Sequence, residues 1–375
     1  MLWNKQGIAD PLEWAGQFML RYKKPDGGGF LTKRWHYENG CFLRAMEACY
    51  DITGDEQYLH YIREMMDLFV QQDGTILNYK VEDYNLDQVN QGKLLFLLLK
   101  TTGEENYRQA IELLMSQLKS HPRTEEGGFW HKKGYTSQMW LDGLYMASPF
   151  LARYGLLTGE RAWLDEAAYQ LLLVEKKTRD EANGLLRHGW DSSLQQQWAE
   201  PGTGRSPHVW SRAMGWYMMA LADVLECLPS DHPNRDELKA VMQRLAAALS
   251  KVQDPATGLW PQVLDQAGRE GNYLESSGSS MFVYALAKGN RLGLLGNEAR
   301  EQAVRGYQGL LEHLVVTDEE GQYHLTQCNS VAGLGGNPYR DGSYSYYIGE
   351  GIVHNDPKAV SPFILAGIEV TQTSS

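Results

Sequence analysis

The sequence predicts an all-α fold, an (α/α)6 barrel in which six helical hairpins close into a double ring. Three observations carry that expectation. First, a loop signal recurs six times, and Gly29, Gly74, Gly128, Gly184, Gly258 and Gly321 are each the last glycine before an apolar residue. Their mean spacing is about 58 residues, room for one helical hairpin and a long loop. Second, a shorter signal follows apolar segments, in Thr53-Gly54-Asp55, Thr102-Gly103-Glu104 and Thr158-Gly159-Glu160. Glycine there permits a left-handed helix end, and the acid favours the first turn of the next helix. Third, helical segments come in two kinds, one apolar nearly all round and one with a polar stripe, as an inner and an outer ring require.

In chain order, an outer helix near 11–22 leads through the loop at 26–30 to an inner helix near 40–53. The turn at 52–56 opens an outer helix near 56–72, and the loop at 72–76 leads to an inner helix near 86–102. That helix holds Lys93-Leu94-Leu95-Phe96-Leu97-Leu98-Leu99, apolar on every face. The outer helix near 104–119 holds Tyr107-Arg108-Gln109-Ala110-Ile111-Glu112-Leu113, which shows the polar stripe. Inner and outer helices then alternate near 140–157, 160–175, 208–227, 234–252, 277–291, 297–315 and 359–371. Leu228-Pro229-Ser230-Asp231 and Leu295-Gly296-Asn297-Glu298 supply the last two short turns. An open solenoid is the alternative arrangement, and a repeat number of six favours closure.

Composition bounds the function. The chain has 375 residues with 43% hydrophobic and 22% charged, ordinary values for a globular protein. One large barrel accounts for that length, so residues 1–375 are expected to form a single catalytic domain. The net charge of −12 argues against nucleic acid as a partner. It also means that an anionic substrate must be held by local cations. Eleven Trp and 21 Tyr suit sugar-stacking surfaces and a large core alike. Cys41, Cys49, Cys227 and Cys328 show neither metal-ligand nor disulfide-framework spacing. Residues 1–7 lack a signal-like apolar run, and no stretch approaches the roughly 20 apolar residues of a membrane span. A reducing cytoplasm is the expected location, with no membrane partner.

Each long loop leads into an inner helix, so the junction residues converge on one face of the barrel, where inner-helix N-termini favour anions. The junctions carry Trp35-His36-Tyr37, Asp87-Gln88, His131-Lys132, Trp140 with Asp142, His188 with Trp190, Trp210 with Arg212 and Trp216, Glu275, and His354-Asn355-Asp356. Asp142 stands out, a carboxylate between Trp140 and Tyr145, because sugars are bound by aromatic faces and cleaved with carboxyl groups. Each residue has a structural alternative. Asp142, Asp87 and Glu275 are also well placed to cap helices, Glu275 most of all, and Asp191 to close a turn. Trp216 and Trp210 suit a core, and His131 and His188 suit satisfied loop positions. Gathering on one face favours function for Asp87 and Asp142. Neither a GxSxG elbow nor a phosphate-cradling glycine loop in strand-helix context is present.

These residues bear a family resemblance. Arg34-Trp35-His36-Tyr37, Gly127-Gly128-Phe129-Trp130-His131-Lys132, Gln138-Met139-Trp140-Leu141-Asp142-Gly143-Leu144-Tyr145-Met146, Trp210-Ser211-Arg212-Ala213-Met214-Gly215-Trp216 and Leu274-Glu275-Ser276-Ser277-Gly278 resemble the unsaturated rhamnogalacturonyl hydrolases, family 105 of the glycoside hydrolases. The resemblance runs over essentially the whole chain. It implies an (α/α)6 barrel that removes a 4,5-unsaturated uronic acid from polysaccharide-lyase products by hydrating the double bond, with no metal or organic cofactor. It implies Asp142 as general acid/base and Asp87 as the second essential carboxylate. Tyr37, His131, Lys132, His188, Trp210, Arg212 and Trp216 resemble the substrate-contacting set, with Trp140 beside Asp142 as a stacking surface.

The expected partner is a small oligosaccharide with an unsaturated uronic acid end, a rhamnogalacturonan disaccharide foremost. The loops 331–337 and 341–347 are expected to shape the subsites. An inverting glycosidase, a sugar epimerase and a non-catalytic oligosaccharide-binding barrel are the competing readings. A mildly acidic activity optimum, falling on both sides, is the expected signature of a protonated Asp142 with an ionised partner.

Overall fold

The computed structural model describes residues 9–23, 31 and 33–372. The expected loop at 26–30, with Gly29, and the segment 1–7 lie outside the described residues. Six helical segments form the inner ring: α2 (Tyr37–Thr53), α4 (Lys93–Thr102) with a 3-10 segment Leu86–Gly92 before it, α6 (Leu141–Thr158), α8 (Ser211–Cys227), α10 (Ser276–Arg291) and α13 (Pro357–Thr371). The outer ring is α1 (Pro11–Tyr22), α3 (Glu56–Asp67), α5 (Glu105–Ser120), α7 (Arg161–Thr178), α9 (Arg235–Val252) and α11 (Asn297–Gly309), and a short helix α12 (Tyr344–Gly349) lies in the loop before α13. Each inner segment packs on the next in the chain, and α13 packs on α2, which closes the circle. The fold is an (α/α)6 barrel.

The sequence dictates the two layers. Every residue of α10 from Ser276 to Asn290 is buried, whereas α5 buries Tyr107, Ala110, Ile111, Leu114 and Leu118, one stripe at helical spacing. Five hairpins are consecutive in the chain, an inner helix turning tightly into an outer one. The sixth is not: α1 lies against α13, with the Trp14 and Phe363 rings 4.6 Å apart.

The short turns repeat one design. Gly54, Gly103 and Gly159 end their helices at φ 65°, 71° and 73°. The hydroxyls of Thr53, Thr102 and Thr158 accept from the N–H groups of Asp55, Glu104 and Glu160 at 3.1, 3.1 and 3.3 Å. In the long loops, Gly74, Gly184, Gly258 and Gly321 also take positive φ, and in the third repeat Gly127 rather than Gly128 does so.

Three departures from the expected elements have physical causes. The inner helix expected over 86–102 is broken at Gly92, because residues 86–92 wind tighter while reaching α2. Asn90 donates to the Tyr37 carbonyl at 2.8 Å, and Gln91 accepts from the His36 N–H at 3.1 Å. The outer helix expected over 56–72 stops at Asp67, where the chain turns into a bridge between Val70 and Ile76. The one expected over 297–315 widens into a π turn at Leu310–Leu314. Three two-stranded ribbons are additional: β1 (Gln138–Trp140) with β2 (Gly189–Asp191), β3 (Val315–Thr317) with β4 (Tyr323–Leu325), and β5 (Cys328–Asn329) with β6 (Ile352–Val353). Two or three residues are too few for an alternating pattern to register. Among the described residues no helix is long and apolar enough to cross a membrane.

Gly103→Ala tests the turn design. A Cβ there meets nothing within 4 Å, so the cost is purely the left-handed backbone. The variant is expected to lose about 1 kcal/mol of stability, read as a lower Tm, with turnover per folded molecule preserved.

Candidate active site

The N-terminal ends of the inner helices open on a cavity of about 320 Å³, whose wall includes Tyr37, Asp87, His131, Lys132, Trp140, Asp142, Trp210, Arg212 and Trp216. Nine of the ten residues expected at the site are thus brought together. The tenth, His188, is fully buried and sits behind Asp142 instead of on the wall, with Nε2 3.3 Å from Asp142 Oδ2.

The β1–β2 ribbon sets that contact. Its register places Trp140 opposite Gly189, and the Leu141 N–H donates to the His188 carbonyl at 3.0 Å. Asp142 follows in the first turn of α6, at whose start Trp140 makes no side-chain cap. Asp142 is therefore not the helix cap, and its buried Oδ2 makes no hydrogen bond among the described residues beyond the 3.3 Å approach of His188. The far ring nitrogen of His188, Nδ1, is 2.7 Å from the Tyr347 hydroxyl, which fixes the imidazole's orientation.

Asp87 has the opposite environment. Asn85 caps the 3-10 segment through the Asp87 N–H, leaving the Asp87 carboxylate for other partners. Lys132 Nζ donates to its Oδ2 at 2.9 Å, and His131 Nε2 lies 3.4 Å from Oδ1. Burial raises the carboxyl, but the fields of Lys132 and His131 outweigh it and hold the group down at about 2. Burial in turn pushes His131 down to about 4, against the pull of Asp87, so its imidazole is neutral at pH 7. The His131, Trp140 and Tyr135 rings stack nearly parallel, 4.8 Å and 4.5 Å between neighbours.

Across the cavity, Arg212 is fully buried at the start of α8. Its Nη2 donates to the Asn329 carbonyl and, at 2.9 Å, to Asn329 Oδ1, while Nε and Nη1 have no hydrogen-bond partner among the described residues. Arg212 makes no direct ion pair with Glu275. Glu275 caps α10 by accepting from Ser277 and Gly278 N–H groups at 3.1 and 2.6 Å, and it accepts from the Asn329 N–H at 3.0 Å. Glu275 thus holds Asn329, which holds Arg212. Trp216 stacks on Tyr145 at 5.0 Å with Tyr37 edge-on at 6.5 Å, and Trp210 stacks on Tyr347 at 6.2 Å. Asp191 accepts from the N–H groups of Ser193, Gln195 and Gln196 and only closes its turn.

Several wall residues were not singled out by sequence reasoning: Tyr135, Met146, Arg340 and Lys358. Lys358 is engaged by Glu38 at 2.5 Å and Asp356 at 2.8 Å. The loop at 331–337, expected to shape a subsite, does contribute Val331 and Ala332 to the wall. Among the described residues there is no group of three or more His, Cys, Asp or Glu side chains placed to hold a metal ion.

Comparison with known proteins identifies the architecture. The family model described as Glycosyl Hydrolase Family 88 matches residues 13–374. A C. acetobutylicum glycoside hydrolase from family 105 has a solved structure that superposes with a TM-score of 0.91 at 46% identity, covering 95% of this chain and 98% of that one. Protein Atu3128 of Agrobacterium fabrum is 44% identical over 230 residues, 60% of this chain and 97% of its own. The unsaturated rhamnogalacturonyl hydrolase YesR of Bacillus subtilis is 26% identical over 264 residues, 69% of this chain and 72% of its own. The chain is a glycoside hydrolase: it belongs to the family that the matching model describes and, with the C. acetobutylicum enzyme, to family 105.

Proposed function

We propose that the chain removes the 4,5-unsaturated uronic acid from the non-reducing end of polysaccharide-lyase products by hydrating the C4=C5 bond. A rhamnogalacturonan-derived disaccharide is the preferred substrate on this reading, supported by the likeness to the B. subtilis enzyme. The observation that carries the reading is the contrast between the two carboxyl groups. Asp142 meets only the His188 ring, at 3.3 Å, with no lysine or arginine paired to it among the described residues, whereas Asp87 is ion-paired with Lys132. An inverting glycosidase needs an acid and a separate base, and a carboxylate held at about 2 is a poor base at neutral pH. Hydration of a vinyl ether needs one proton shuttle.

In the proposed sequence, Asp142 gives its proton to C4, and positive charge develops at C5 and the ring oxygen. Asp87 stabilises that charge. Water adds at C5 while returning a proton to Asp142, with His188 orienting the carboxyl group. The hemiketal opens to a C5 ketone, and the resulting C1 hemiacetal expels the next sugar. One water is consumed and the acid is regenerated. Tyr37, Trp140, Trp210 and Trp216 give the sugar its apolar walls, His131 and Lys132 hold Asp87, and the free Nε and Nη1 of Arg212 face the uronate carboxylate. We read residues 1–375 as one catalytic domain that uses no cofactor. Its four free thiols support a reducing, cytoplasmic setting.

The decisive assay follows near-ultraviolet absorbance of a lyase-generated disaccharide, which hydration erases. Reducing ends released from saturated oligosaccharides would support the inverting alternative, and binding without turnover a non-catalytic barrel. Asp142→Asn is expected to lower kcat by ~10²–10⁴-fold with an unchanged Tm, because the amide keeps the shape but carries no proton. Retention of more than about half the activity would remove Asp142 from this role.

The pH profile separates the two carboxyls. A depressed carboxyl is ionised above its folded value, so Asp87 contributes no acid limb to turnover until pH nears about 2. Its ion-pair stabilisation is likewise complete above the ordinary 3.8 and lost as pH falls through about 2. Lys132→Met removes the main depressing partner and is expected to move the acid limb upward by at least about one pH unit. An unmoved limb would show that Lys132 does not set the charge of Asp87.

Arg212→Lys is expected to raise KM, and Arg212→Ala to raise it further, by roughly 2–4 kcal/mol for a desolvated carboxylate contact. A falling Tm with unchanged KM would instead assign Arg212 to holding Asn329.

A further inference from the structure

Arg340 is a cation in the cavity wall that forms no ion pair among the described residues. Its Nε donates to the Gly335 carbonyl at 2.7 Å, and its Nη2 to the Leu334 carbonyl at 3.1 Å and the Tyr135 hydroxyl at 3.0 Å. All three acceptors are neutral, and no ion pair joins Arg340 to any of the described residues. In a chain with 47 acidic and 35 basic side chains, carboxylates are the abundant partner, yet none is used here.

The mounting of this guanidinium is specific. The loop carrying it is closed by Gly335 and Arg340, whose main chains exchange hydrogen bonds at 2.8 and 3.2 Å. A Cβ on Gly333 would lie 2.2 Å from Arg340 Nη1, and one on Gly336 would lie 3.1 Å from Nη2, so the guanidinium occupies space that glycine leaves open. Nη1 has no acceptor among the described residues.

Its neighbourhood is positive. The Tyr135 ring has Lys132 Nζ 5.1 Å and the Arg340 guanidinium 5.9 Å from its centroid, and Arg340 is also 5.9 Å from the Trp140 ring. Asp87 answers Lys132, but one carboxylate does not answer two cations. Like charges gathered on a cavity wall are relieved by an anionic ligand, and an arginine fork matches an oxyanion.

We infer that Arg340, mounted on Tyr135 and the glycine loop, forms a second anion subsite for a carboxylate or sulfate ester that the substrate carries beyond its terminal unsaturated sugar. The inference rests on the proposed function for the identity of that terminal sugar. It makes Arg340 a specificity-determining residue, selecting acidic over neutral neighbours of the cleaved unit.

The test compares three lyase products that share the same terminal unsaturated uronate: one with a neutral second sugar, one with that sugar sulfated, and one extended by a further uronate. Arg340→Gln is expected to lower kcat/KM by ~10–100-fold on an acidic product, mainly through KM, and by less than ~3-fold on the neutral one. Arg340→Lys, which keeps the charge, is expected to recover part of the loss and guards against a folding defect in the glutamine variant. The acidic product that responds identifies sulfate or carboxylate as the ligand. Equal losses on all three products, with or without a lower Tm, would reduce Arg340 to a staple for its loop, and no loss on any would also overturn the subsite. Should the wild-type protein turn over none of them, the proposed function fails. Tryptophan quenching by a saturated oligosaccharide carrying two uronates then decides the subsite: roughly tenfold weaker binding in Arg340→Gln supports it, and equal binding overturns it.

Discussion

The inner helices are buried on every side, and that constraint governs where chemistry can sit. A polar group along α8 or α10 has no water to turn to, so it is either paired or excluded. Asp223, Lys288 and Tyr284 show the paired solution, with Lys288 Nζ 2.6 Å from Asp223 Oδ1 and 3.0 Å from the Tyr284 hydroxyl. At the N-terminal ends, by contrast, the long loops leave a cavity. Asp142, Arg212 and Asp87 all stand at or just before such ends, where a carboxyl or guanidinium can keep unpaired atoms for a ligand.

Within that cavity the charges are divided among distinct tasks. Asp87 is locked by Lys132, and Lys358 by Glu38 and Asp356. Those pairs are internally neutralised and orient their surroundings. Asp142 and Arg212 keep free atoms, one acidic and one basic. On the proposed function, these atoms are what lets an acidic protein receive an acidic sugar, since its local cations are not all consumed by its many carboxylates.

Much of this was legible in the sequence. The Thr-Gly-acid turns and the recurring loop glycines mark six hairpins, since a left-handed helix end and a one-sided apolar stripe both leave local traces. Asp142 and Arg212 were legible because each stands among aromatics at the start of a helix. What escaped depends on pairing between distant segments. Asp87 was picked out by its place on the loop face, but that Asn85 and not Asp87 caps the segment, leaving the carboxylate to Lys132, needed the structure. The contact of His188 with Asp142 follows from the register of a three-residue ribbon, which no periodicity announces. Tyr135 and Arg340 lie 205 positions apart, and neither is unusual in its own segment.

The sixth hairpin joins the two ends of the described chain, α1 against α13, and this bears on assembly. Five hairpins draw on neighbouring segments and can form in the order in which the chain leaves the ribosome. The ring itself waits for the last helix, because α13 fills the space between α10 and α2 and carries Lys358 into the cavity wall. Until then, two apolar helix flanks stand open to solvent, with the longest loop in the molecule left to close. The cavity wall is therefore complete only once the last helix has docked, and a chain lacking it leaves apolar surface of the kind that invites aggregation.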